Sequence, residues 1–246
     1  GDTSVSVAPT LVHLQAQETA VTMSSATLKS VPELIRIMGD SLDEIGERPD
    51  EIALEHLAIS IYSAMTGPAR LFHTIRHIFD LLPGLNATQT LAAIFHDIVY
   101  YQVDEALPPR IRSYIAPWIT AEGPACINLP QAGEGPWWVD MVNGIFGVST
   151  PQQFANGPGF NEYASALTAA AMSHPHVSPQ SLLGIIVCIE GTIPFRLNDT
   201  TEQSWMAKLS QRITQVGSQQ GLALSEQQID TLIQQAVGLA NNDVHS

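Results

Sequence analysis

Between Arg70 and Tyr100 the chain gathers side chains able to bind a metal ion or move a proton. His73 and His77 stand four residues apart in Arg-Leu-Phe-His-Thr-Ile-Arg-His, and His96 and Asp97 are adjacent in Ala-Ala-Ile-Phe-His-Asp-Ile-Val-Tyr. Imidazole nitrogen and carboxylate oxygen are ordinary ligands for zinc, iron or manganese. Leu91, Ala92, Ala93, Ile94, Phe95, Ile98 and Val99 surround the His-Asp pair with apolar residues on almost every side, the pattern of a buried helix. An unpaired carboxylate in such a place costs several kcal/mol. A divalent cation would satisfy His96 and Asp97 together; a hydrogen-bonded pair without metal is the competing reading.

Helices are expected to position these groups. A helix from about Ala69 to Leu82 would carry Arg70, His73 and His77 at i, i+3 and i+7, on one face. Pro83-Gly84 ends it, and Asn86 with Gln89 forms a capping box for a helix over Ala87–Tyr101, with His96 and Asp97 in its middle. Upstream, apolar spacing predicts helices over Val31–Ile45 and from Asp50, an N-cap, to Met65. Downstream, helices are expected over Gly159–Ser173, from Ser178-Pro179 through Glu190, along the Trp205–Val216 stripe, and after a Ser225/Gln228 capping box. The last two form a hairpin that packs on the bundle or on a second copy as a homodimer. With no alternating strand pattern, the expected fold is all-α and single-domain. It comprises a loosely ordered segment 1–30, a helical domain 31–240 with a Gly/Pro-rich insertion at 106–160, and a frayed tail 241–246.

Glu190 is the other acid in an apolar setting, one turn after Ile186 and Val187. Its carboxylate calls for a metal, a water network, or Arg196. Glu162 begins an Ala-rich helix and either braces the site or is a solvated first-turn acid. His174 and His176 have a spacing seen in metal sites, but Pro175 between them marks an exposed turn. Trp137-Trp138 either stacks a ring of a substrate or anchors a long loop.

Taken together, the phrases Arg-Leu-Phe-His-Thr-Ile-Arg-His and Phe-His-Asp-Ile-Val-Tyr resemble the HD superfamily of metal-dependent phosphohydrolases, and look like a bacterial branch of predicted HD phosphohydrolases. The resemblance covers about residues 60–105. It implies an HD-type bundle in which a His, a His-Asp pair and a later Asp bind metal. His77 matches the first ligand and His96-Asp97 the pair. Residues 73–77 are also similar to cyclic nucleotide phosphodiesterases, which implies that His73 protonates the leaving oxygen. For the late acid, Glu190 is the positional match, 93 residues past Asp97. It departs from the family's Asp by one methylene, so it could ligate directly, reach through water, or only hold Arg196.

The implied activity is hydrolysis of a phosphate ester of a small molecule or nucleotide, with a divalent manganese, iron, zinc or magnesium ion. Asp97 would orient the water, and Arg70 and Arg196 would contact phosphate, unless each is paired with one of the chain's acids. The alternative is an HD-like module that binds a metal or ligand without turnover.

Composition narrows the partners. Ten basic against 24 acidic residues give a formal charge of −14, which argues against nucleic acid and anionic membrane as partners. A small anionic substrate is compatible, because a bound ion reverses the local field. No apolar run is long enough to span a membrane, no signal-peptide pattern opens the sequence given, and two cysteines make no disulfide framework. These features lead to the expectation of a cytoplasmic protein.

Overall fold

Local capping and a long apolar centre build this fold. The computed structural model describes residues 30–67, 70, 74–100, 107, 109–120, 125–131, 133–151, 158–194 and 201–245. Helix α1 covers 30–44 and buries Leu34, Met38 and Leu42. Helix α2, Glu51–Met65, starts where the Asp50 carboxylate accepts from Ala53 N at 2.7 Å. Helix α3, Ile75–Leu81, is short, with Thr74 as its N-cap. Helix α4, Ala87–Phe95, opens on the Asn86/Gln89 capping box, both hydrogen bonds being made at 2.9 Å.

Helix α5, Pro109–Ile115, leads into a two-residue antiparallel pair, β1 (Ile119–Thr120) and β2 (Cys126–Ile127), with Ile119 opposite Ile127. That strand pair lies in the Gly/Pro-rich insertion, where no strand was expected; two residues are too few to show alternation. Helix α6, Trp137–Phe146, ends on Gly147 in the left-handed conformation, φ 65°. Helices α7 (Phe160–Ser173), α8 (Pro179–Gly191), α9 (Glu202–Gln219) and α10 (Glu226–His245) complete the chain.

Among the described residues the structure is predominantly helical. Helix α8 is its axis, buried from Leu182 to Gly191 and packed against α4, α6, α7 and α10. A Cβ at Gly191 would lie 3.0 Å from Ala236 Cβ and 3.1 Å from the Ala236 carbonyl, so α10 comes nearly backbone to backbone with α8. The first turn of α8 is held by Ser178, as its sequence predicts, and by Glu47, whose carboxylate accepts from Ser178 N and Ser181 Oγ. Helix α10 is fixed sideways as well. Gln89 Nε2 of α4 donates to the Gln235 carbonyl, and Asn242 Nδ2 reaches the Leu81 and Pro83 carbonyls at the end of α3. With these ties α10 continues as helix to His245.

Candidate metal centre

Two helices end sooner, or begin later, than their sequences suggest, and both differences shape the site. Helix α3 starts at Ile75 after an extended Thr74, within the span 69–82 expected as one helix, so Arg70 and His77 do not share a helical face. Thr74 Oγ1 accepts from His77 N, which sets the first turn of α3 and places His77 in it. His73 lies outside the described residues, as does Arg196.

The expected helix to Tyr101 stops at Phe95, and His96 is its C-cap rather than its middle. The backbone beyond it finds partners outside the helix. Arg70 Nη1 donates to the Asp97 carbonyl at 2.7 Å and Nη2 to the Ile98 carbonyl at 3.1 Å. Ser165 of α7 takes both polar groups of Val99, accepting from its N–H at 3.0 Å and donating to its carbonyl at 3.3 Å. A buried fork of guanidinium donors and one hydroxyl replace the next helical turn. Arg70, expected to contact phosphate, is itself buried, with its guanidinium on the Asp97 and Ile98 carbonyls.

That turn points His96 Nε2 at two carboxylates. Asp97 Oδ2 is 3.1 Å away, and Asp243 Oδ1, from the last turns of α10, is 3.2 Å away. The second oxygen also lies 3.7 Å from His77 Nε2, and the two imidazole rings are 6.5 Å apart. Donor atoms of His77, His96 and Asp243 all fall within 4.8 Å of one another. His96 Nδ1 sits 2.6 Å from the Ala93 carbonyl. A carbonyl only accepts, so Nδ1 carries a hydrogen and Nε2 is left to face the acids.

Burial opposes a charge on His96, but the carboxylates of Asp97 and Asp243 outweigh it and hold its pKa well above the ordinary value. The site grades from interior to surface. His96 is 2 % exposed, Asp97 14 %, His77 22 % and Asp243 26 %. Two imidazoles and two carboxylates, one side closed and the other open to solvent, suit a borderline or hard divalent cation.

The late-helix acid of this cluster is Asp243 and not Glu190. Glu190 is buried, but its carboxylate accepts from Trp205 Nε1 at 3.0 Å and from Arg212 Nη2 at 3.3 Å, both on α9. Arg212 Nε also donates to the Ile145 carbonyl at the end of α6. Glu190 thus ties α8 to α9 and, through Arg212, to the end of α6. A sequence signal for Asp243 did exist. It follows Ala236 by seven residues and Leu239 by four, so it continues the buried stripe of α10 with an acid.

Glu162 in the first turn of α7 belongs to the same neighbourhood. Burial raises its carboxyl pKa to about 7; the charges of Asp97 and Asp243 add to the rise, and the carboxylate's own backbone N–H and His96 work against it. It is not the solvated first-turn acid that its position suggests. His174 is no second metal site partner of His176. Its ring is stacked on Trp138 at 5.1 Å and meets the edge of Trp137 at 6.3 Å, and burial followed by the charge of His176 lowers its pKa. The two tryptophans therefore clasp the α7–α8 turn, which is the anchoring role.

No described helix is long and apolar enough to cross a membrane. Comparison with protein-family models, curated proteins and solved structures yields no match to this chain.

Proposed function

We propose that the protein is a metal-dependent hydrolase of the HD type, acting on a phosphate ester of a small molecule or nucleotide. The observation that carries this is the convergence of donor atoms of His77, His96 and Asp243 within 4.8 Å of one another, with the Asp97 carboxylate 3.1 Å from His96 Nε2. A His, a His-Asp pair and a late Asp is the ligand order that the sequence resemblance implies, with Asp243 rather than Glu190 as the late acid. A divalent ion held there would lower the pKa of water and polarise a phosphoryl oxygen. The chain's own groups have distinct tasks. Ala93 fixes the His96 tautomer, Arg70 fixes the turn that presents Asp97, and Asn242 fixes the end of α10 that presents Asp243. Asp97, less exposed than Asp243, is the carboxylate proposed to orient the attacking water. The acidic composition and two free cysteines fit a cytoplasmic enzyme for small substrates.

A second reading has one observation in its favour. Among the described residues no buried side-chain nitrogen or oxygen lacks a hydrogen-bond partner, and His96 has Ala93, Asp97 and Asp243 as neighbours within the chain itself. The cluster would then be a hydrogen-bonded core element, or a binding module without turnover. Purified protein reconstituted with manganese, iron or zinc and assayed by elemental analysis separates the readings. About one ion per chain in the wild type, lost in His96→Ala and Asp243→Asn, is expected; no bound ion in the wild type would leave only the structural reading. A phosphomonoester, nucleotide and cyclic nucleotide screen of the loaded protein then separates hydrolase from sensor.

A further inference from the structure

Two contacts join the same pair of helices. Asp243 of α10 meets His96, the C-cap of α4, at 3.2 Å, and Gln89 Nε2 of α4 donates to the Gln235 carbonyl of α10 at 3.0 Å. Gln89 precedes His96 by seven residues, and Gln235 precedes Asp243 by eight. At about 1.5 Å per helical residue these are spans of about 10 and 12 Å, so α4 and α10 run side by side in the same direction with their two contacts at matched heights. A one-residue change of register would shift α10 by about 1.5 Å and turn it by about 100°, which takes Asp243 off His96. Gly191 admits the Ala236 backbone and sets how closely α10 lies on α8. The Gln89 bond is directional, so it also fixes the height of α10 against α4.

We infer that Gln89 is a positioning residue of the site, whose amide sets the register at which α10 delivers Asp243 to His96. The geometry calls for an amide. Its Oε1 accepts from Asn86 N at 2.9 Å and completes the α4 capping box, which leaves Nε2 as the donor toward α10. That nitrogen reaches the α10 backbone because residue 238 has no side chain: a Cβ at Gly238 would lie 2.7 Å from Gln89 Nε2. Gln89 and Gly238 form one lock, with the donor on α4 and the gap that admits it on α10. The register stands on these contacts alone; its effect on ion binding rests on the metal reading given above.

The test has two readouts on the full chain: Mn(II) affinity, by competition with a chelator of known affinity, and amide hydrogen exchange of the metal-free protein. Gln89→Glu keeps the capping oxygen, since Glu fills the same place in a capping box, and removes the donor to Gln235. Its added negative charge favours a cation, so a loss of affinity in this variant reports position and not charge. Mn(II) binding is expected to weaken about 10- to 100-fold, the range found when groups supporting metal ligands are lost. In the metal-free variant the amides of residues 240–245 are expected to exchange about 10-fold faster, because Asn242 and Asp243 lose their partners together. Gly238→Ala evicts the amide from the other side. It should weaken Mn(II) binding to a similar extent although Ala is the better helix former, and the double variant should bind no more weakly than either single one, because both act through one bond. A Gln89 that only caps α4 would leave Gln89→Glu at wild-type affinity and wild-type exchange, which overturns the assignment while the donor site stands. No Mn(II) binding in the wild type, together with faster exchange in Gln89→Glu, overturns the metal reading and upholds the register.

Discussion

Asp243 Oδ1 and His96 Nε2 lie 3.2 Å apart although 147 residues separate them in the chain. The pair joins the C-cap of α4 to the last turns of α10, and it brings the site a second carboxylate beside that of Asp97. Asp243→Asn keeps the side chain's size and removes its charge. Metal occupancy by elemental analysis is expected to fall at least 10-fold, with any hydrolysis falling in step. A variant that still carries one ion per chain would show that Asp243 pairs with His96 only.

Glu190 should behave in the opposite way. Its oxygens meet Trp205 and Arg212, so Glu190→Gln is expected to leave metal occupancy unchanged and to cost about 1–3 kcal/mol of stability in urea unfolding, the range for weakening a buried charged hydrogen bond. Loss of metal with unchanged stability would return Glu190 to the metal site.

Arg70 offers a test of the turn. Arg70→Lys retains the charge but cannot fork between the Asp97 and Ile98 carbonyls. A loss of about 1–3 kcal/mol is expected, together with weaker metal binding through the displaced Asp97. An arginine serving only as a phosphate contact would change KM and leave unfolding untouched.

The metal-free protein should become less stable as pH rises from about 5 to 8. For Glu162 the folded pKa is about 7 against an ordinary 4.5, so the folded state binds the extra proton between those values and its contribution to stability falls across that window. His96, also raised, adds stability that is fully present below about 6.5 and is lost as pH climbs through its folded pKa. Thermal melts in a chelator should show this fall, and Glu162→Gln should remove its part below pH 7. Metal should reverse the trend, because at His96 Nε2 the ion and the proton compete for one lone pair. A metal-free melting temperature that rises from pH 5 to 8 would contradict the assignment of both groups.

Local features were legible before any fold was known. Asp50, Asn86 with Gln89, Ser178-Pro179 and Ser225 with Gln228 all cap their helices as their spacing indicates, the last pair by reciprocal bonds of 2.8 and 3.1 Å. Each of these bonds closes within a few residues, so nearby sequence is sufficient to specify it. For the same reason the apolar run around His96 and Asp97 marked a polar pair in need of partners, His96 being buried and Asp97 partly so.

What those partners are was decided only by the tertiary structure. Glu190 and Asp243 are both acids on late helices, and neither motif nor period separates them. The close approach of α8 and α10 at Gly191, with Asn242 tied to the end of α3, sends Asp243 to His77 and His96, while Arg212 of α9 claims Glu190. Likewise, nothing local marks Arg70 as the group that ends α4, since its carbonyl partners lie 27 and 28 residues away. The sequence alone determined that His96 would be buried with the Asp97 carboxylate beside it. The packing of α3, α7 and α10 around them, which brings distant charges within a few ångströms, decided which residues complete the site.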